Sequence, residues 1–242
     1  TTAVSKPELR AMKDMVTGIL KSQSVFVNQI AASLREALKL KDVTKRLSAQ
    51  YLKEDYAEKV LGHHLCTASR RVGQDTFIVM DGTDISKKYA KFMEGLEFVK
   101  NGDTGEIGLG YNVLNINAIN SHKEITPLYS KAYSFEMGSL SRNNEIKSAV
   151  KDVDTYLQGK GCWVIDREAD TEILKDFFTT QCPRCIIRLK RNTTLTYKNQ
   201  ELKVSQIAHR IQYQCTQGVT KIKKDKPVLR YYELGALPIP TI

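Results

Sequence analysis

Two aspartates in this sequence each come directly after a short apolar run. The run 77–80 ends at Asp81, and the run 163–165 ends at Asp166. An apolar run that stops at an acid is typical of a buried strand that leads into a functional loop. Two carboxylates that lie close together repel each other unless a cation lies between them. The pair is therefore a candidate site for Mg²⁺ or Mn²⁺, which prefer oxygen ligands.

A site of this kind would act on phosphate esters. Two metal ions about 3.5–4 Å apart can clamp the attacking and leaving oxygens of an in-line phosphoryl displacement. Asp81 and Asp166 have the residue type for this role, and a third carboxylate normally completes the second metal position. Asp84 is an alternative ligand on the first strand. Because side chains alternate along a strand, however, Asp84 is expected to point away from the face shared by Asp81 and Thr83.

The strands and helices predicted around these two aspartates follow a known order along the chain. Strands are predicted over 76–80, 111–119, 125–133, 162–165 and 185–189, and 86–107 is predicted to be a loop or ribbon. A helix is predicted on each side of the fourth strand, the second of them with Asp170 as its N-cap. An antiparallel meander whose first strand pairs with a later parallel strand is the ribonuclease-H-like order, and a right-handed crossover brings the fourth strand beside the first.

We therefore predict an α/β fold over residues 73–190, with a ribonuclease-H-like mixed sheet and flanking helices. This order is expected to bring Asp81 and Asp166 side by side at one edge of the sheet. Arg167, next to the second aspartate, is expected either to contact a DNA phosphate or to pair with a nearby acid.

Residues 1–72 are predicted to be all helical. Ser5 and Glu8 have the spacing of a capping box, and apolar residues recur at helical spacing through four segments, of which the second carries Ile30, Leu34 and Leu38. The polar positions are rich in Lys and Arg. Two interpretations remain open, which are recognition of DNA ends and a helical scaffold with a solvated basic face.

The chain is basic. It has 37 Lys and Arg against 27 Asp and Glu, which gives a formal net charge of +10 and a pI near 9.3. Such an excess favours polyanionic partners, although a basic protein without a nucleic acid partner is the alternative. Residues 191–242 are predicted to be a basic inserted segment of strands and turns. There, Lys223 and Lys224 could follow a DNA backbone or lie in a solvated turn.

The five cysteines do not predict a disulfide framework in a chain of 242 residues. Cys182 and Cys185 have the spacing of zinc ligands, but no second pair follows, so free thiols at a turn are expected. Charge is scattered through the first 21 residues, unlike a signal peptide, and no apolar run approaches the roughly 20 residues of a membrane span. A cytoplasmic protein without a membrane partner is expected.

Several of these residues resemble a known family. Asp81-Gly82-Thr83 after an apolar strand, together with the sequence Asp-Arg-Glu-Ala-Asp over 166–170, resembles the DDE transposases of bacterial insertion sequences. The stretch 81–111 is similar to the same family, and its matching residues are Lys87, Lys88, Met93, Gly105 and Gly110. The resemblance covers about residues 70–190, and the 166–170 stretch is its most specific part.

The resemblance implies a function. It implies a ribonuclease-H-like catalytic core that uses Mg²⁺ to cleave and join DNA at transposon ends, within a homodimer on double-stranded DNA in the bacterial cytoplasm, near the nucleoid. Asp81 and Asp166 would be the first two metal-binding carboxylates. The candidates for contacts to DNA are all basic, namely Lys87, Lys88, Arg167, Arg188, Lys190, Arg191, Lys223 and Lys224.

The sequence departs from the family at the third carboxylate. In the family, a Glu on a later helix lies within a signature of Tyr, Arg, Glu and Lys, and no such helix is predicted before Ile242. Glu233 lies in a strand-like segment and is not assigned this role. The expectation is therefore a fragment of a transposase that is inactive alone. The alternatives are a DNA-binding remnant without catalysis and another metal-dependent nuclease of the same fold.

Overall fold

The computed structural model describes residues 4–87, 89–102, 104–138, 141–182, 184–212, 214–223 and 226–234. The helices are α1 (Lys6–Ser22), α2 (Val27–Leu34), α3 (Leu40–Tyr51), α4 (Tyr56–Ala68), α5 (Arg142–Leu157), α6 (Glu172–Gln181) and α7 (Val204–Ala208). The strands are β1 (Phe77–Ser86), β2 (Glu97–Lys100), β3 (Ile107–Ile119), β4 (Ile125–Tyr133), β5 (Cys162–Ile165), β6 (Cys185–Ile187), β7 (Thr194–Tyr197), β8 (Gln200–Lys203), β9 (Cys215–Lys223) and β10 (Lys226–Leu234).

The first four helices confirm the helical prediction for the N-terminal region. At the start of α1, the carboxylate of Glu8 accepts from the backbone N–H of Ser5 at 2.8 Å and from its hydroxyl at 2.7 Å. The first three helices enclose a small core of Ile30, Ala31, Val43 and Leu47. One detail of the prediction was wrong, because α2 ends at Leu34 and Leu38 lies outside it. None of the described helices is long and apolar enough to cross a membrane.

The central sheet is mixed. Strand β1 pairs antiparallel with β3 and parallel with β5, while β6 continues the parallel side next to β5. Strand β4 pairs with the later part of β3, so the path across the sheet is β4-β3-β1-β5-β6. This mixed α/β architecture is compatible with the ribonuclease-H-like fold predicted from the sequence.

One face of this sheet forms the main core. Ile78 and Met80 of β1 are buried, together with Trp163 and Ile165 of β5, as expected for alternate residues of strands that face a helical layer. Residues from α5 and α6 complete this core, namely Ile146, Ala149, Val150, Val153, Leu157, Leu174 and Phe178. On the other face, Phe77 and Ile186 remain 47% and 53% exposed. These two positions on the second face of the sheet are therefore open to solvent.

Two predictions around the candidate site need correction. Strand β1 does not stop at Met80 but continues to Ser86, so Asp81 lies within the strand. The strand continues because β3 is long enough to pair with all of it, through to Gly110. The predicted ribbon also contains a further strand, β2, which pairs with the first residues of β3.

The prediction for Asp170 was also wrong, because this residue is not the N-cap of α6. Thr171 takes that position, and its hydroxyl accepts from the backbone N–H of Leu174 at 3.3 Å. Both residue types are good caps, so the local sequence did not decide between them. A short 3₁₀ turn, Arg167–Ala169, lies between β5 and Asp170 and leaves this carboxylate available for tertiary contacts.

The described residues after β6 contain four further strands. Strands β7 and β8 form one hairpin, and β9 and β10 form another. The short helix α7, which was not predicted, follows β8 directly and begins with a hydrogen bond from the Val204 N–H to the carbonyl of Thr193.

Candidate functional site

Asp81 and Asp166 lie next to each other because of the register between β1 and β5. In this parallel pair, Met80 is the partner of Ile165, and each aspartate is the next residue along its chain. Adjacent strands lie about 5 Å apart, so the two carboxylates start from neighbouring backbone positions. Both aspartates are exposed, whereas the residues just before them are buried. The pair can therefore be reached from solvent.

Asp84, the alternative ligand, lies on the opposite face of β1. The alternation of the strand puts it on the side of Gly82 and Met80, away from Asp81. Its carboxylate accepts from the backbone N–H of Gly102 at 3.2 Å. Asp84 thus stabilises the turn between β2 and β3 and does not point towards the aspartate pair.

A basic segment begins at the same edge of the sheet. Ile187 is the parallel partner of Ile165, and the N–H of the next residue, Arg188, donates to the Ile165 carbonyl at 2.9 Å. Arg188 therefore follows β6 at the level where Asp166 follows β5. The side chains of Arg188, Lys190 and Arg191 are all exposed. Positive charge consequently lies beside the two carboxylates, where a DNA phosphate could be bound.

Asp170 holds this basic segment in place. Its carboxylate accepts from the Lys190 backbone N–H at 2.6 Å and from the Thr193 hydroxyl. The other oxygen of the carboxylate lies 3.5 Å from the ammonium group of Lys175, and the Asp170 side chain is only 1% exposed. The carboxylate thus joins the start of α6 to the loop that follows β6.

The pKa of Asp170 reflects these contacts. Burial on its own raises the pKa of this carboxyl group, but the hydrogen bonds from Thr193 and Lys190 and the charge of Lys175 outweigh it. The net effect is a pKa below the ordinary value of 3.8. The carboxylate is therefore ionised at neutral pH even though it is buried.

The sequence did not indicate this role for Asp170. Its contacts come from a segment about 20 residues later in the chain, and no local pattern predicts such a pair. The residue was interpreted as a helix cap, and a buried carboxylate looks the same in sequence as an exposed one.

The remaining basic candidates are spread over the molecule. Arg167 is exposed in the 3₁₀ turn after Asp166. Lys87 extends the β1 ladder, since its N–H donates to the Leu109 carbonyl at 2.7 Å, and it is six residues, or about 20 Å, from Asp81. Lys88 and Lys224 lie outside the described residues. Lys223 is in β9, more than 50 residues after Asp166 in the sequence, and only its backbone is described.

The cysteine pair agrees with the prediction of free thiols. Cys182 is buried and Cys185 is half-buried, and neither is in a disulfide. Burial is the main cause that raises the pKa of the Cys182 thiol to about 12, and burial also raises the pKa of Cys185. Both thiols are therefore neutral at neutral pH. Among the described residues, no three His, Cys, Asp or Glu side chains form a group that could hold a metal ion.

The chain has a distant structural likeness to a known protein. No protein-family model matches the chain, and no curated protein matches it. Among solved structures, the chain is similar to the Mos1 transposase in its paired-end complex with the left transposon end, at 11% identity and a TM-score of 0.29. The match covers 78% of this chain and 61% of that one. A likeness at this TM-score does not support any assignment of site residues. The candidate site is assigned from strand register and residue type alone.

Proposed function

We propose that this chain is the catalytic-core portion of a DDE-type DNA transposase. The observation that supports the proposal best is the parallel register of β1 and β5, in which Met80 and Ile165 are partners and an exposed aspartate follows each of them. The order of the strands in the sheet adds support, because it is the order that a ribonuclease-H-like core requires. The resemblance of residues 81–83 and 166–170 to bacterial transposases supplies the reaction class.

In this proposal Asp81 and Asp166 hold Mg²⁺ or Mn²⁺ in a two-metal site. Their fit to these ions rests on the donor set, since carboxylate oxygens from adjacent strands are the ligands that such hard cations prefer. When bound, the ions supply charge stabilisation to the attacking and leaving oxygens of a phosphodiester. A third carboxylate, which the resemblance implies, is not assigned to any described residue.

The other residues of the site bind and orient DNA. Arg188, Lys190 and Arg191 follow β6 beside the carboxylates, and Arg167 follows Asp166 directly, so their charges can neutralise phosphates next to the reacting bond. The proposed reaction is hydrolysis of a DNA phosphodiester at a transposon end, after which the new 3′-hydroxyl attacks target DNA. The proposed partner is double-stranded DNA in the bacterial cytoplasm, bound by a homodimer.

A nicking assay on supercoiled plasmid tests the catalytic proposal. In a protein that also carries the third carboxylate, we expect nicking that requires Mg²⁺ or Mn²⁺, is lost in Asp81→Asn and Asp166→Asn, and persists in Asp84→Asn. Each substitution removes one charge and preserves the shape of the side chain. The Asp84 variant is a matched control because its carboxylate lies on the same strand but on the opposite face. Nicking that survives in the Asp81 and Asp166 variants would contradict the proposed site.

A second candidate function is DNA binding without cleavage. It is favoured by the lack, among the described residues, of a group of three side chains that could hold a metal ion. In that case the protein would bind DNA in a salt-dependent manner and would not nick it in the presence of either metal. The Asp166→Ala variant would bind DNA with the same affinity as the wild type.

A further inference from the structure

The far end of the sheet has an exposed surface of apolar and basic residues, which we call the ribbon face. It consists of Ile85, Lys87, Phe98, Lys100 and Ile107. Phe98 and Ile107 are 78% and 72% exposed, which is unusual for such large apolar side chains on paired strands.

Strand register shows that these residues share one face. Phe98 is the partner of Leu109, and Lys100 is the partner of Ile107. Lys87 is hydrogen-bonded across to Leu109 through its backbone N–H. Directly opposite residues of antiparallel strands point to the same side. Lys87, Leu109 and Phe98 therefore form one row across three strands, and Lys100 and Ile107 form the next row.

Apart from Asp81 at the candidate active site, the acids on these strands face the other way. Glu97, adjacent to Phe98, accepts from the side chain of Asn112 at 2.5 Å and from the Phe135 N–H at 2.8 Å. Asp84 is engaged with the Gly102 N–H on that same opposite side. Two further acids, Glu94 and Glu106, lie in the loops next to the strands. The strand residues of the ribbon face are thus apolar or positively charged.

The ribbon face is continuous with the candidate active site. Alternate residues of β1 lead from Lys87 through Ile85 and Thr83 to Asp81, all on the same side of the sheet. Six residues of extended strand span about 20 Å, which is the length of about six stacked base pairs. A DNA molecule with its reacting phosphate at Asp81 can therefore extend over Phe98.

We infer that the ribbon face binds DNA bases that have left the double helix about six base pairs from the cleavage position. Aromatic rings that accept stacked bases, with lysines that neutralise the backbone, are the two elements of single-strand binding sites. Phe98 is the proposed stacking platform, and Lys87 and Lys100 bind the phosphates around it. Phe92, which is 98% exposed in the loop before β2, offers a second ring. This inference rests on the proposed function, because it assigns a part of the same DNA substrate to this surface.

The test compares DNA binding by the wild-type chain and by Phe98→Ala. The two probes are a fully paired duplex and the same duplex with a short unpaired gap that contains a fluorescent adenine analogue quenched by stacking. We expect tighter binding and stronger quenching with the gapped probe. Phe98→Ala should weaken binding of the gapped probe by about tenfold with little effect on the duplex, whereas Phe98→Tyr should retain both the affinity and the quenching.

A matched control is Phe26→Ala, which removes a ring of similar exposure from the turn between α1 and α2. Equal binding of the two probes by the wild type, or an equal loss on both probes in Phe98→Ala, would overturn the inference and leave the transposase proposal standing. Failure of the wild type to bind either probe would overturn both. Self-association that is lost in Phe98→Ala without DNA would assign the surface to a second copy of the chain, and so would also overturn the inference.

Discussion

At the scale of single residues, Asp170 shows how a buried charge can hold a basic segment in place. Its carboxylate holds the backbone at Lys190 and the side chain of Thr193. The residues between β6 and Thr193 are the basic ones proposed to bind phosphate. The charge is buried at a cost, and that cost is offset only while all its partners remain in place.

We expect Asp170→Asn to lower the free energy of unfolding by about 2 kcal/mol, because buried hydrogen bonds to a charged group are lost. The pKa of this group is below 3.8 in the folded chain, so its stabilising contribution is complete above that pH. The contribution is lost as the pH falls through the folded-state pKa, and the two proteins should then converge. Urea unfolding at several pH values measures the difference.

Asp176→Asn is the matched control, because it removes an exposed carboxylate from the same helix, α6. Its effect should stay within about 0.5 kcal/mol. A difference between wild type and Asp170→Asn that grows towards acidic pH would contradict the proposed role.

At the scale of elements, a single buried carboxylate joins the first helix to the fourth. Glu8 in α1 is 4% exposed, caps its own helix through Ser5 and lies 3.0 Å from the ammonium group of Lys59 in α4. The hydrogen bonds from the backbone and hydroxyl of Ser5, followed by that from Lys59, lower the pKa of Glu8 from 4.5 to about 2. Glu8 therefore stabilises both a helix start and a contact between helices.

Glu8→Gln should lower the thermal unfolding temperature of the protein at neutral pH. Because the folded-state pKa is depressed, the contribution of Glu8 is complete above pH 4.5 and is lost as the pH falls towards 2. Unfolding temperatures measured across that range should converge at the acidic end. Glu54→Gln, which changes an exposed acid between α3 and α4, should have little effect at any pH. An equal loss in the two variants would show that the Glu8 contacts are not specific.

At the scale of the whole molecule, the excess of positive charge includes three exposed basic residues beside the candidate active site. The formal net charge is +10, and Arg188, Lys190 and Arg191 lie beside the candidate active site. Binding of DNA by such a surface releases counterions, so the affinity should fall steeply as salt increases. The net charge favours this partner, but only the fold determines which surface meets it.

We expect Arg188→Ala to weaken duplex binding at low salt and to reduce the slope of log K against log salt by about one, since one phosphate contact is lost. Fluorescence anisotropy over a salt series measures both quantities. Lys151→Ala is the control, because Lys151 is exposed on α5, which packs on the opposite face of the sheet. A slope that is unchanged in Arg188→Ala, or reduced equally in Lys151→Ala, would exclude Arg188 from the DNA interface.

Sequence alone determined most of the elements and the two central aspartates. Strands such as β4 and β5 were predicted at the bounds that the structure has. Alternating apolar residues indicate a strand with one buried face, and a continuous apolar run indicates a strand with two buried faces. Asp81 and Asp166 could be selected because each follows such a run. The strand bounds and the position of each aspartate after an apolar run are local properties, because both depend only on residues that are neighbours in the sequence.

The tertiary structure decided what depends on distant partners. Strand β1 extends past Asp81 because β3 is there to pair with it. Asp170 is buried because its carboxylate binds the Lys190 N–H and the Thr193 hydroxyl. Thr171 therefore serves as the N-cap of α6 in its place. The common face of Asp81, Lys87 and Phe98 likewise follows from the pairing of three strands. Such pairings join residues far apart in the chain, and no local pattern encodes which strands will meet.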